Sequence, residues 1–221
     1  MSKIRLKFKK TGMGKYISHL DLLRTFTRAI HRAGLPVRYS QGFNPHQLIT
    51  FSLPLPIGVT SETEFVDIDF EDTVTNEVIM EKLNVNLPPD IKIISVSTPT
   101  CKANDIVAAR YKIDITAKNV IDKEKTESFF VQEFIPVIKK TKKGEKEVNL
   151  KEYIREIKNT VISGETVELD IILSAGGSAN IKPDILIAKY CEFLGNGEFE
   201  SYNIHRTEIF YDSGKEIKNF C

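Results

Sequence analysis

The chain has 221 residues, 41% hydrophobic and 28% charged, the balance of an ordinary soluble globular protein. That length buries a core without a disulfide or metal staple, and no apolar run approaches the ~20 residues of a membrane span. The net charge is only +1, but residues 1–50 hold ten Lys and Arg against one acid, Asp21, and residues 51–100 hold two bases against nine acids.

Two readings of this asymmetry stay open: an anionic partner for the first segment, or pairing of the basic and acidic segments as neighbouring strands. The opening MSKIRLKFKK has no apolar h-region, so the expectation is a cytoplasmic protein without a signal peptide. Cys101, Cys191 and Cys221 are odd in number and far apart, which fits neither a disulfide framework nor an iron–sulfur cluster. No cofactor or metal site is expected.

Taken in order, Ile4-Arg5-Leu6-Lys7-Phe8-Lys9 alternates apolar and basic residues and predicts a half-buried strand with a cationic outer face. The glycines of TGMGKY break it. Ser18, with Asp21 three residues on, predicts a cap for a helix over 19–33, stopped by Gly34 and Pro36. A short strand is predicted at 35–40, a polar loop at 40–47, an apolar strand from 47 ending at Pro54 and Pro56, and a strictly alternating strand at 64–70. A second helix at 75–86 and a strand at 91–97 complete a β-α-β-β-β-α-β order, close to a ferredoxin-like unit with an added short strand.

The second half repeats the theme. Strands are predicted at 109–117, 134–141, 146–150, 167–175 and 202–211, with a turn at KKGE (142–145). Helices are predicted from Asp122 to Gln132 and from Pro183 to Leu194; YIREIKNTVI (153–162) fits either period. The fold class expected is α+β, with two ferredoxin-like units in tandem, 1–100 and 101–221, each an antiparallel sheet with helices on one face.

Three features could carry chemistry. Arg24, Arg28 and Arg32 fall at i, i+4 and i+8, one stripe of planar forks suited to phosphate, which the strand lysines, Lys7 among them, could extend. The glycine turn feeding a helix start around Lys15, Tyr16, Ser18 and His19 is a natural anion site. There His19 could act as acid or base and Asp21 could orient it. Finally, Ser40-Gln41-Gly42-Phe43-Asn44-Pro45-His46, following Arg38, can hydrogen-bond and stack on a base. Folded over the helix start, this loop could bring His46 beside His19. The plain structural alternatives are a solvated helix face, ordinary capping by Ser18 and Asp21, and a Phe43 tucked into the core. SAGGSANIKPD (174–184) is glycine-rich but lacks the spacing and lysine of a phosphate loop.

The stretch GKYISHLDLLRTFTRAIHRAGLPVRYSQGFNPHQLITFSLPLPIGVTSETEFVDI (14–68) resembles the N-terminal signature of the radical-SAM-linked proteins, a bacterial family of unassigned activity. NIKPDILIAK and IHRTEIFY are looser family features, with Lys182 where an arginine is expected. The resemblance implies a partner: such proteins are found beside, or fused to, a radical SAM protein, often near a gene for an RNA-degrading enzyme. It implies an accessory role in RNA modification or processing, tRNA or rRNA being the substrate we expect, with the cluster chemistry residing in the partner. By fold analogy alone, tandem ferredoxin-like units are also similar to CRISPR repeat-processing endoribonucleases and one class of pseudouridine synthase.

The leading expectation is an RNA-binding accessory subunit. Lys7, Lys15, Tyr16, Arg24, Arg28, Arg32, Arg38, Phe43 and Asn44 would contact RNA. Alternatives are a metal-independent endoribonuclease using His19, His46 and Asp21, and a protein-interaction module that touches no nucleic acid.

Overall fold

The structure, a computed structural model, describes residues 2–71, 74–141, 144–177, 179–195 and 199–221. It is mixed α+β, with four α-helices among the described residues. The chain divides into two compact units, Met1–Ile106 with Glu208–Cys221, and Val107–Thr207. The sequence suggested one cut, at 100/101; the contacts cut the chain twice because its last residues return to the first unit.

The first unit runs β1 (Ser2–Lys10), α1 (His19–Arg32), β2 (Ile49–Phe51), β3 (Val59–Phe70), α2 (Asn76–Asn86) and β4 (Ile91–Ser97). β1 lies between β3 and β4, antiparallel to both, and β2 pairs antiparallel with β3. The alternation of β1 sends Ile4, Leu6 and Phe8 into a core with Leu22, Phe26, Ala29 and Ile30 of α1 and Ile79 and Leu83 of α2. Phe26 is fully buried and packs against the rings of Phe8 at 5.1 Å and Phe51 at 5.4 Å. Cutting it to alanine would cost roughly 3–5 kcal/mol.

α1 begins where the sequence placed it. The Ser18 hydroxyl accepts from the Asp21 N–H at 3.2 Å, and Gly34 leaves the helix at φ +62. The strand expected at 35–40 is reduced to isolated bridges, Val37 to Phe70 and Tyr39 to Gln47, since Pro36 has no N–H to give a ladder. The strand expected from 47 onward is only the three residues of β2.

The second unit runs β5 (Ile106–Thr116), α3 (Lys123–Val131), β6 (Pro136–Thr141), β7 (Gly144–Asn149), β8 (Ile154–Ser163), β9 (Thr166–Ser174), α4 (Pro183–Leu194) and β10 (Ser201–Asp212). β9 pairs antiparallel with β5 and β8, and β6 and β7 form a separate hairpin. The ambiguous stretch 153–162 is thus a strand from Ile154 onward. Of the predicted KKGE turn, Lys142 and Lys143 lie outside the described residues. α3 and α4 meet through Phe129, Phe130 and Tyr190, whose hydroxyl shares a 2.7 Å hydrogen bond with Thr126; burial pushes that phenol's pKa up.

Back in the first unit, β11 (Ile217–Asn219) pairs with the end of β10. The next residue, Phe220, packs edge-on against Phe65 at 5.0 Å. No helix among the described residues is long and apolar enough to cross a membrane.

Candidate nucleic-acid interface on the first helix

Part of the basic segment pairs with the acidic one as neighbouring strands. In β1 the bases meet acids directly opposite in β3: Lys3 reaches Asp69 at 3.7 Å, and Arg5 reaches Asp67 at 2.7 Å. Arg5 is 1% exposed and also donates to the Cys101 carbonyl at 2.9 Å, the Cys101 sulfur at 3.3 Å and the Cys221 main-chain oxygen at 2.7 Å, with Phe220 4.3 Å beneath its guanidinium. Lys7, on the same face, lies 5.8 Å from the Phe65 ring. Because Ile4, Leu6 and Phe8 occupy the face beneath α1, Lys7 points away from the helix. The expectation that strand lysines extend the helix stripe is corrected by the two-residue period of the strand.

The arginines of α1 have a different fate. Arg24, Arg28 and Arg32 are all exposed. Arg24 pairs with Asp21 at 2.9 Å in a solvated contact. Arg32 donates to the Asn86 carbonyl at the end of α2. Arg28 has no ion pair among the described residues. Arg28 and Arg32 line a cavity of about 380 Å³ with Thr25, Asn86, Leu87 and Pro88.

The opposite edge of this helix face carries the polar loop. Its ends are cinched: the Ser40 N–H donates to the His46 carbonyl at 2.8 Å, and the Ser40 hydroxyl accepts from the His46 N–H at 3.1 Å and lies 2.9 Å from His46 Nδ1. Gln47, 6% exposed, donates from Nε2 to the Thr27 carbonyl of α1 at 3.4 Å and to the Tyr39 hydroxyl at 3.3 Å; its Oε1 is buried with no partner among the described residues. Thr27 precedes Arg28 and lies three residues from Arg24, so this contact seats the loop beside the stripe. Between the cinched ends Gln41, Gly42, Phe43, Asn44 and Pro45 are all exposed, Phe43 at 105%. Phe43 is not in the core. Arg38 carries the loop's base, its N–H donating to the Asp69 carbonyl at 2.8 Å and its carbonyl accepting from Leu48.

At the helix start the expected anion site holds the chain's own carboxylates. Asp90 accepts from the Gly14 N–H at 3.1 Å, and a Cβ on Gly12 would come 2.6 Å from its Oδ1. Asp21 takes the Ser18 hydroxyl at 2.7 Å; that bond first, and the Arg24 guanidinium next, hold its carboxyl below the usual range. Lys15 lies over Tyr16 at 5.3 Å. His19 packs edge-on against Phe51 at 5.4 Å, whereas His46 is engaged by Ser40, so the two imidazoles have separate partners. In 174–184, Lys182 gives no side-chain cap to α4, and Ser178 lies outside the described residues. Among the described residues no group of three or more His, Cys, Asp or Glu could hold a metal.

Sequence reasoning missed the two tethers of the arginine face, Gln47 to Thr27 and Arg32 to Asn86, and the Arg5 cluster. The first two use main-chain carbonyls and leave no trace in composition. The last had one signal, the acids of β3 at spacings matching the bases of β1.

Fold and surface together define an α+β protein of two units whose first helix offers an exposed arginine face. Residues 3–183 match the family described as "Uncharacterized protein conserved in bacteria (DUF2344)", and the chain belongs to it. Among solved structures it is similar to a chain in "Crystal Structure of a Cbf5-Nop10-Gar1 Complex", with 11% identity and a TM-score of 0.55 over 93% of this chain and 48% of that one. The likeness is one of fold, and this chain spans about half the length of that neighbour. A search of curated proteins finds no match.

Proposed function

We propose that this chain is an RNA-binding accessory subunit, built of two ferredoxin-like units in tandem, that presents tRNA or rRNA to a radical SAM partner. The fold part rests on strand order: β4-β1-β3 with β2 beyond β3, and β10-β5-β9-β8 with the β6–β7 hairpin inserted, each produced by a β-α-β-β-α-β path. The partner rests on the resemblance of residues 14–68 to the radical-SAM-linked proteins.

One observation carries the RNA reading. Lys3 and Arg5 of β1 are paired with acids of β3, yet the arginines of α1 stay exposed, with Arg28 free of ion pairs among the described residues and set beside an open cavity. Exposed guanidinium forks on one helix face are chemically matched to successive phosphate oxygens. The loop tethered at Thr27 adds an aromatic ring and amide groups at the edge of the same face, where bases would lie.

The test is affinity of the full chain for structured tRNA and rRNA fragments, alone and with the radical SAM partner. The double substitution Arg24→Ala and Arg28→Ala should weaken binding without loss of fold, since both side chains are exposed. No measurable affinity in either setting would remove the RNA reading.

A further inference from the structure

The loop Ser40–His46 has a construction that solvation alone does not explain. A phenylalanine at 105% exposure makes no packing contribution, yet the loop that carries it is tied at both ends. Ser40 and His46 are joined by three contacts of 2.8–3.1 Å, Tyr39 bridges to Gln47, and Gln47 is anchored on α1. Gly42, at φ +115, lets the chain turn just before Phe43 in a conformation that residues with a side chain rarely adopt. An aromatic ring held in water on a loop with tied ends loses less entropy on meeting a flat apolar partner than one on a free segment.

The Ser40 contacts also hold the His46 ring. The Ser40 hydroxyl accepts from the His46 main-chain N–H and shares a hydrogen bond with Nδ1. Nε2 takes no part in these contacts, and on this exposed side chain it donates or accepts according to the tautomer. Asn44, also exposed, adds an amide that can both donate and accept.

The geometry points to a stacking finger: Phe43 takes an unpaired nucleobase, with Asn44 and His46 placed for its polar edge, while Arg24 and Arg28 hold the adjoining phosphates. This rests on the RNA-binding reading and narrows it to a single-stranded or extruded nucleotide rather than a continuous duplex. The charge of the neighbouring arginines selects a nucleic acid over a neutral apolar partner. A base inside a duplex has both faces covered by its neighbours and offers the ring nothing to stack on.

The experiment uses the full chain, a short single-stranded RNA carrying 2-aminopurine, and the same strand paired to its complement. The wild type should prefer the single strand and quench the 2-aminopurine. Phe43→Ala should lose roughly 5- to 150-fold in single-strand affinity, the span supported by stacking one base, while duplex affinity stays unchanged and Phe43→Trp restores both binding and quenching. If Phe43→Ala equals the wild type while Arg28→Ala weakens both RNAs, the finger is wrong and the RNA reading stands. If the wild type binds neither RNA, both are wrong.

Discussion

The Arg5 guanidinium clasps Asp67 with two bonds, Nε to Oδ1 at 2.7 Å and Nη2 to Oδ2 at 2.9 Å, on the face of the sheet away from α1. The pair also fixes the segment around Cys101 and the tail at Cys221, whose main-chain oxygens, with the Cys101 sulfur, take the remaining donors. Removing the carboxylate leaves a cation that is 1% exposed without its counter-charge. Asp67→Ala should therefore cost about 3–5 kcal/mol in urea unfolding. Asp69→Ala, which breaks a 3.7 Å contact to an exposed lysine, should cost no more than about 1 kcal/mol. Equal losses would contradict this account of the outer face.

The glycine turn gives a second prediction. Gly12 has φ +51 and no room for a Cβ beside the Asp90 carboxylate, whereas Gly34 has φ +62 and open space. Gly34→Ala should lose about 1–2 kcal/mol, the backbone penalty alone. Gly12→Ala should lose more, because Asp90 must also move off the Gly14 N–H. The order of the two unfolding midpoints decides it.

What was legible in the sequence was what neighbours along the chain decide. Ser18, Gly34 and the apolar spacing between them mark α1 without reference to anything distant. β8 was ambiguous because its apolar residues fit both periods, and only its pairing with β9 makes it a strand. Gly12 and Gly14 read as an open anion site because the carboxylate that fills it, Asp90, arrives from the far end of α2. The three arginines were visible as a stripe. That Lys7 lies on the other face followed from strand alternation and was legible, but the tethers at Thr27 and Asn86 were not.

Acid should weaken the second unit through Asp170. Its carboxyl is held below the usual range, chiefly by the Arg110 hydrogen bonds at 2.7 and 2.6 Å. A carboxyl whose folded pKa is depressed stabilises the fold in full above its unfolded value, near 4, and ceases to do so as the pH falls through the folded pKa. The stability gap between wild type and Asp170→Asn should therefore be constant above about pH 5 and shrink steadily below about pH 4. A gap that does not change with pH would mean the pair contributes nothing through its charge.

A single assay separates RNA binding from the rival reading, a metal-independent endoribonuclease using His19 and His46, and we expect no cleavage. Structured bacterial RNA incubated with the purified chain in chelator should stay intact. Cleavage that vanishes in His19→Ala or His46→Ala, with folding and binding retained, would make this chain an enzyme. The loss on removing an acid or base is typically ~100- to 10,000-fold, too large to miss.

The central claim, that the exposed arginine face of α1 grips RNA phosphates, is tested most directly by the salt dependence of binding. Each phosphate contact releases counterions, so the logarithm of the association constant should fall linearly with the logarithm of salt concentration. Arg28→Ala should weaken binding and flatten that slope by about one unit, and Arg24→Ala with Arg28→Ala by about two. A wild-type affinity indifferent to salt, or a slope that the arginine substitutions leave unchanged, would contradict the claim.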